Sequence, residues 1–355
     1  MSFPPLRIPL LLILYLSFVS LGLPDSVLGV AWPRMRLSFG MSTEAAGLLL
    51  TMTTIFSVIS SVFSGAAVKR LETGPLVAVC ACLTASAMFG YALAPAWGVI
   101  LACTALFGIG QGAVDTAVNA HMARHYSSRH MNWVHCCWGL GATGGPLILA
   151  AAFGLGSSWR GGYLALGCVQ TVLAAFFFIT LRVWKADATG RDGNVPADIP
   201  EKGGANKSKS SSKSKCSRRE ALAMGAGTLF YFLYPGIELV AGLWGASYLI
   251  ERAGAGAALA GACIAAYCAS LTAGRFITGI IASRFSDVAI LRAGLGIGAC
   301  GALLLRSGPG LGHGLTPSVG GLILLGPGLS PPSPTTLPGP PPRGRTAPPL
   351  HPTRT

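Results

Sequence analysis

Charged side chains are scarce in this chain: Asp, Glu, Lys and Arg make up 11% of its 355 residues, against 52% apolar residues. A water-soluble globule of this length could not cover its surface with so few charges, which excludes an ordinary soluble enzyme or binding domain and leaves the lipid bilayer as solvent. The ten cysteines form no CxxC or Cys/His zinc spacing. Cys136-Cys137 and Cys80-x-Cys82 stand among apolar residues as small packing groups, so neither a disulfide framework nor a metal centre is expected. His121 and His125, with His130 and His135 beyond them, lack the carboxylate partners that a metal site would need. No Ser/His/Asp set, HExxH or glycine-rich phosphate loop stands in a helical context; enzyme chemistry has no candidate residues and no cofactor is called for. The net charge of +14 lies mostly outside the apolar stretches, which argues against a nucleic-acid groove.

Long apolar runs are what the sequence does have. A hydrocarbon core of roughly 30 Å needs about 20 apolar residues in helix to cross it. Such segments are read at Leu6–Ala31, Thr43–Val68, Pro75–Leu93, Trp97–Met122, Trp133–Gly156 and Gly162–Trp184. The first runs on past the length of a secretory signal core and is followed by many similar segments, so it is read as a retained helix. Residues 1–184 thus form an amino-terminal six-helix bundle. Residues 185–219, with the Lys207–Lys215 Ser/Lys run, are too polar and too low in complexity to fold and read as a basic linker. Residues 220–305 supply helices near Ala221–Ile250, Ala257–Ser283 and Val288–Leu305, a partial carboxy-terminal bundle. Residues 306–355 form a Pro- and Gly-rich tail with one short apolar segment at 315–329.

With a cytosolic amino terminus, Lys69, Arg70, Arg124, Arg129, the linker and Arg284 share one side of the membrane. Only Arg34, Arg36, Arg160 and Arg252 fall on the other, an asymmetry that places the amino terminus and the linker in the cytosol. The chain is expected to be a multi-pass integral protein of the plasma membrane or an internal membrane.

The two halves share a faint pattern. Asp25 precedes Gly29 by four residues as Glu238 precedes Gly242, and Gly65-x4-Arg70 is echoed by Gly279-x4-Arg284. Parallel repeats of this kind build transporters whose solute site lies at the midplane. Asp25, Asp115 and Glu238 stand inside apolar helices, where a carboxylate costs roughly 2.5–3.5 kcal/mol and is retained for a pathway. Leaving water favours the uncharged form of a carboxyl, so such groups can take up and release a proton. Gln111, Asp115 and Asn119 recur every four residues and share a helix face that could line a cavity or join two helices. His135 enters the next helix and is a further candidate for the cavity.

At these residues the sequence resembles the fucose:proton symporter branch of the major facilitator superfamily. The strings are Gly22-Leu-Pro-Asp25-Ser-x-x-Gly29, Gly110-Gln-Gly-Ala-Val-Asp115-Thr-Ala-Val-Asn119, Asn132-Trp-Val-His135 and Gly139-x-Gly141-Ala-x-x-Gly145, then Ser247-Tyr-Leu-Ile250 and Gly274-Arg-Phe-Ile-Thr-Gly279. The resemblance implies an all-α membrane protein of two pseudo-repeated six-helix halves, the second truncated after about three helices. It also ties Asp25 and Asp115 to proton coupling and sugar recognition. Substrate-binding and coupling candidates are therefore Asp25, Asp115, Asn119, Gln111, His135 and Glu238, and the conformational loops are marked by Gly65, Arg70, Gly279 and Arg284.

Two departures stand out. The superfamily loop Gly-x3-Asp-Arg-x-Gly has Lys69 here in place of the Asp and Glu72 in place of the second Gly. Past residue 305 the twelve-helix pattern is interrupted, as a frameshifted or mis-spliced gene would produce, although Gly326-Pro-Gly-Leu-Ser-Pro331 resembles the opening of a tenth helix. The expected activity is secondary transport of a small polar solute, a sugar among the options, by proton symport across the bilayer. The alternative is a non-transporting receptor or scaffold, or an inactive truncated transporter.

Overall fold

The computed structural model describes residues 7–126, 128–184, 236–281, 284–307 and 315–330. Among these residues every regular element is a helix: α1 Arg7–Asp25, α2 Val27–Ser38, α3 Ala45–Leu71, α4 Thr73–Leu93, α5 Trp97–His125, α6 Ser128–Gly154 and α7 Trp159–Ile179. After the linker come α8 over 236–251, α9 Ala257–Ile281, α10 Asp287–Ser307 and α11 Leu315–Gly328. Among the described residues, eight stretches are long and apolar enough to cross a membrane, α1 and α2 together forming the first of them at Pro9–Ser38. The linker 185–219, residues 221–235 of the expected seventh helix, and 331–355 of the tail lie outside the described residues. The short segment read at 315–329 is α11, which packs on α9 and α10.

α2 and α5 run past the expected ends, to Ser38 in place of Ala31 and to His125 in place of Met122, whereas α6 and α7 stop short, at Gly154 and Ile179. Backbone hydrogen bonds inside a helix persist beyond the hydrocarbon, so polarity alone does not end one. On α3, Ile55, Val58, Val62 and Phe63 are exposed side by side, a surface that lipid and not water would cover.

The first membrane stretch breaks at Ser26, between α1 and α2, and its cause is Pro24. Proline has no N–H, so the Ser20 carbonyl one turn earlier loses its helical donor. Gln170 of α7, itself fully buried, replaces it: its Nε2–H donates to the Ser20 carbonyl at 2.7 Å, and the Ser20 hydroxyl donates back to Oε1 at 2.8 Å. This clamp fixes the bend immediately before Asp25.

Within the first half, α1 packs on α6, α3 on α5 and α4 on α7. The halves meet where α6 and α2 pack on α9 and where Arg36 of α2 pairs with Glu251 of α8 at 2.9 Å.

The turn between α3 and α4 rests on Glu72, at φ 65° and ψ 167°, the one non-glycine residue with positive φ among those described. That backbone region is essentially restricted to glycine. It is also the position at which the superfamily loop has its second Gly. Removing strain of about 1–3 kcal/mol, less roughly 0.5–1 kcal/mol for the freer unfolded chain, leaves a net gain for Glu72→Gly of about 1 kcal/mol. A rise in the thermal unfolding midpoint in detergent checks this; an unchanged or lower midpoint contradicts it.

Candidate functional site

The bend at Pro24 delivers Asp25 to the space between the two halves, where two neutral donors from separate helices meet it. Gln111 Nε2–H of α5 donates to Asp25 Oδ1 at 2.8 Å, and Trp138 Nε1–H of α6 donates to Oδ2 at 3.2 Å. Each oxygen thus has one partner, and neither partner carries charge.

From the other half, α8 presents Glu238. Arg275 of α9 donates from Nη2 to Glu238 Oε2 at 2.7 Å, with side chains 30% and 14% exposed respectively. The Tyr267 hydroxyl donates to the Glu238 carbonyl at 3.2 Å. The Arg275 guanidinium also lies 5.7 Å from the centre of the Trp138 ring, within cation–π reach. A continuous chain therefore runs Gln111, Asp25, Trp138, Arg275, Glu238, with its first three members in one half and its last two in the other.

Of these groups, Asp25, Trp138 and Glu238 border a cavity of about 80 Å³ whose walls also include Tyr267, Cys268 and Thr272. It is large enough and polar enough to hold water. The matched positions of the sequence pattern meet at its edge: a Cβ on Gly29 of α2 would fall on the Gly242 carbonyl oxygen and the Leu243 backbone of α8. Nearby, Cys268 Sγ of α9 lies 3.6 Å from Ser26 Oγ.

The other candidates separate. Asp115 accepts from Asn119 Nδ2–H, one turn on, at 3.1 Å, and neither residue is among those that line the cavity. The α5 stripe is thus divided: Gln111 reaches across to Asp25, while Asn119 turns back on its own helix. His135 is exposed, packs edge-on to Phe18 at 5.3 Å and does not line the cavity. Gly65 and Arg70 are exposed in the last turns of α3; Gly279 lies near the end of α9, with Arg284 exposed just beyond it.

Sequence reasoning missed two members. Arg275 was seen only within a glycine-spaced string, although a guanidinium inside an apolar segment is rare and marks a pathway or a polar partner, and that rarity was the available signal. Trp138 is one of several aromatics near helix ends, and nothing in one sequence tells an interfacial indole from one that donates to a carboxylate.

The profile of the Major Facilitator Superfamily matches residues 14–338. The chain belongs to that superfamily. The match extends over α11. Solved members share the fold with this superfamily chain. A D-xylose–proton symporter aligns with TM-score 0.66 and 12% identity over 91% of this chain and 80% of its own. A bacterial homologue of the human lysosomal transporter Spinster, inward-facing and occupied, aligns at 0.63 and 15% over 93% and 74%. The nucleoside transporter NupG aligns at 0.59 and 12% over 92% and 80%. No curated protein matches the chain. At such identities the structural likeness establishes the fold and nothing finer.

Proposed function

We propose that this major facilitator protein moves a small hydroxylated solute, a sugar or a sugar-bearing compound, across a membrane by alternating access in symport with protons. The observation that carries the reading is that Asp25 of the first half and Glu238 of the second line one cavity between the halves. A carboxylate retained at that depth against its desolvation is a functional feature. The Trp138 ring offers an apolar face for a sugar, and Asp25 an acceptor for its hydroxyls. Two of the solved neighbours are a xylose–proton symporter and a nucleoside transporter, and the helix strings resemble the fucose:proton symporter branch, all in keeping with this solute class. Lys69, Arg70 and the basic linker would face the cytosol, following the Lys/Arg bias.

The test is uptake of radiolabelled L-fucose, D-xylose and uridine into proteoliposomes with an alkaline interior. Accumulation of at least one, abolished by a protonophore, is the expected result; gradient-independent behaviour across the panel would refute the reading. Asp115→Asn is expected to weaken gradient-driven uptake without abolishing it, because Asp115 sits away from the cavity and is answered by Asn119 of its own helix. A wild-type pH profile in that variant would remove Asp115 from the coupling path.

A further inference from the structure

Gln170 of α7 is a fully buried primary amide that does not line the cavity. Burial of an amide is costly unless its polar atoms are answered. Here nitrogen and oxygen both engage one residue, Ser20 of α1: Nε2–H donates to the carbonyl at 2.7 Å, and Oε1 accepts from the hydroxyl at 2.8 Å. That carbonyl is the one that Pro24, four residues on, leaves without a helical donor.

We propose that Gln170 is a positioning residue of the transport site: by answering the Ser20 carbonyl it sets the break in the first membrane stretch, and with it the places of Asp25 and Ser26 on the cavity wall. The proposal rests on the reading of that cavity as the solute path and adds a residue that stands outside it.

A proline ring crowds the carbonyl of residue i−4 and supplies no N–H, so that carbonyl turns to a donor from elsewhere. Inside a bilayer no bulk water is at hand, and an unanswered backbone group is expensive there. The void beside the clamp, bounded in part by Ser17, Ser20 and Thr84, has a volume of about 10 Å³, at the lower limit for a single water. A side-chain amide from a neighbouring helix is the donor that remains, and Gln170 supplies it. The hydroxyl bond to Oε1 fixes the rotation of that amide, so that its N–H and not its oxygen meets the carbonyl.

The same stretch of α1 is seated on α6 by its backbone. A Cβ on Gly22 would fall on the Trp138 carbonyl, and one on Gly145 would fall on the Leu23 carbonyl. Contact this close leaves α1 little freedom to slide along α6, so the angle at the break is the adjustable quantity, and Gln170 holds it. Beyond the orphaned carbonyl stand Asp25, met by Gln111 and Trp138, and Ser26, whose Oγ lies 3.6 Å from Cys268 Sγ of the other half. A change of angle moves both.

Ser26 supplies the readout. In a Ser26→Cys variant of the full chain, oxidation with copper–phenanthroline should join the introduced thiol to Cys268, as peptide mass spectrometry with and without reduction would show. Adding Gln170→Met, which keeps the length of the side chain and removes both hydrogen bonds, should slow this crosslink several-fold. It should also lower the unfolding midpoint in detergent. That drop should shrink markedly in a Pro24→Ala background, where residue 24 regains an N–H for the Ser20 carbonyl. A side chain that only fills space would leave the crosslink rate alone and lower the midpoint equally in both backgrounds; either result overturns the proposal. If the thiols fail to join in the Ser26→Cys parent, the midpoint comparison decides alone. Should Gln170→Met give no folded protein, recovery on adding Pro24→Ala supports the proposal and no recovery overturns it. A slowed crosslink in a protein whose uptake ignores the proton gradient leaves the clamp standing and sinks the symport reading; an unchanged crosslink with uptake lost sinks the clamp alone.

Discussion

Asp25→Asn is expected to reduce solute accumulation to the level reached without a proton gradient, while solute exchange across the membrane persists at a reduced rate. Asparagine matches the shape of aspartate and cannot carry the proton. It also cannot reproduce both hydrogen bonds, because its amide offers one acceptor oxygen and one NH2 where Gln111 and Trp138 each present an N–H. To meet the asparagine NH2 the Gln111 amide must turn its Oε1 inward, and where it does not, a donor is left unsatisfied at a cost of about 1–3 kcal/mol. That explains the slower exchange, and the missing proton explains the lost accumulation. Comparing gradient-driven uptake with counterflow in the same proteoliposomes separates the two effects. Retained accumulation in Asp25→Asn would mean that the proton travels elsewhere.

The second large effect is expected at Gly29. Here α2 and α8, from different halves, approach so closely that any side chain on Gly29 would fall on the Gly242 carbonyl and the Leu243 backbone. Backbone cannot step aside as the end of a flexible side chain can. Gly29→Val should therefore cost about 1–3 kcal/mol as overpacking, and it should act on the joint between the halves before it acts on either bundle. Transport should fail. Cys268, buried beside Ser26 at that joint, should be alkylated faster than in wild type, as peptide mass spectrometry would show. Gly47→Val is the matched control, since a Cβ there meets open space. Equal labelling of Cys268 in the Gly29 and Gly47 variants would contradict a close joint at this level.

The contrast between these two positions shows what was legible in the sequence. Asp25, Asp115 and Glu238 were visible because a carboxylate in an apolar run is anomalous by itself. The shared four-residue offset in Asp25-x3-Gly29 and Glu238-x3-Gly242 showed that two helices were equivalent. It did not show that Gly29 would rest against Gly242, because a contact between the halves leaves no local periodic trace. The α5 stripe announced a common face for Gln111, Asp115 and Asn119, yet a helix face spans several neighbours, and only tertiary packing sends Gln111 to Asp25 while Asn119 folds back. Arg275 was overlooked because its partner lies 37 residues away on another helix. Helix ends were read short at Ala31 and Met122 because hydropathy reports the bilayer, whereas α2 and α5 follow their own hydrogen bonds to Ser38 and His125. Glu72 was noticed as a departure from a glycine; the positive φ that makes glycine the natural choice there belongs to the backbone.

Proton movement measured alongside solute movement bears most directly on the central claim. When a transported sugar or nucleoside is added to weakly buffered proteoliposomes, a pH electrode should register alkalinisation of the outer medium in step with uptake, and Asp25→Asn should abolish the signal while counterflow continues. Solute entering with no accompanying pH change, or an undiminished pH change in Asp25→Asn, would contradict the account.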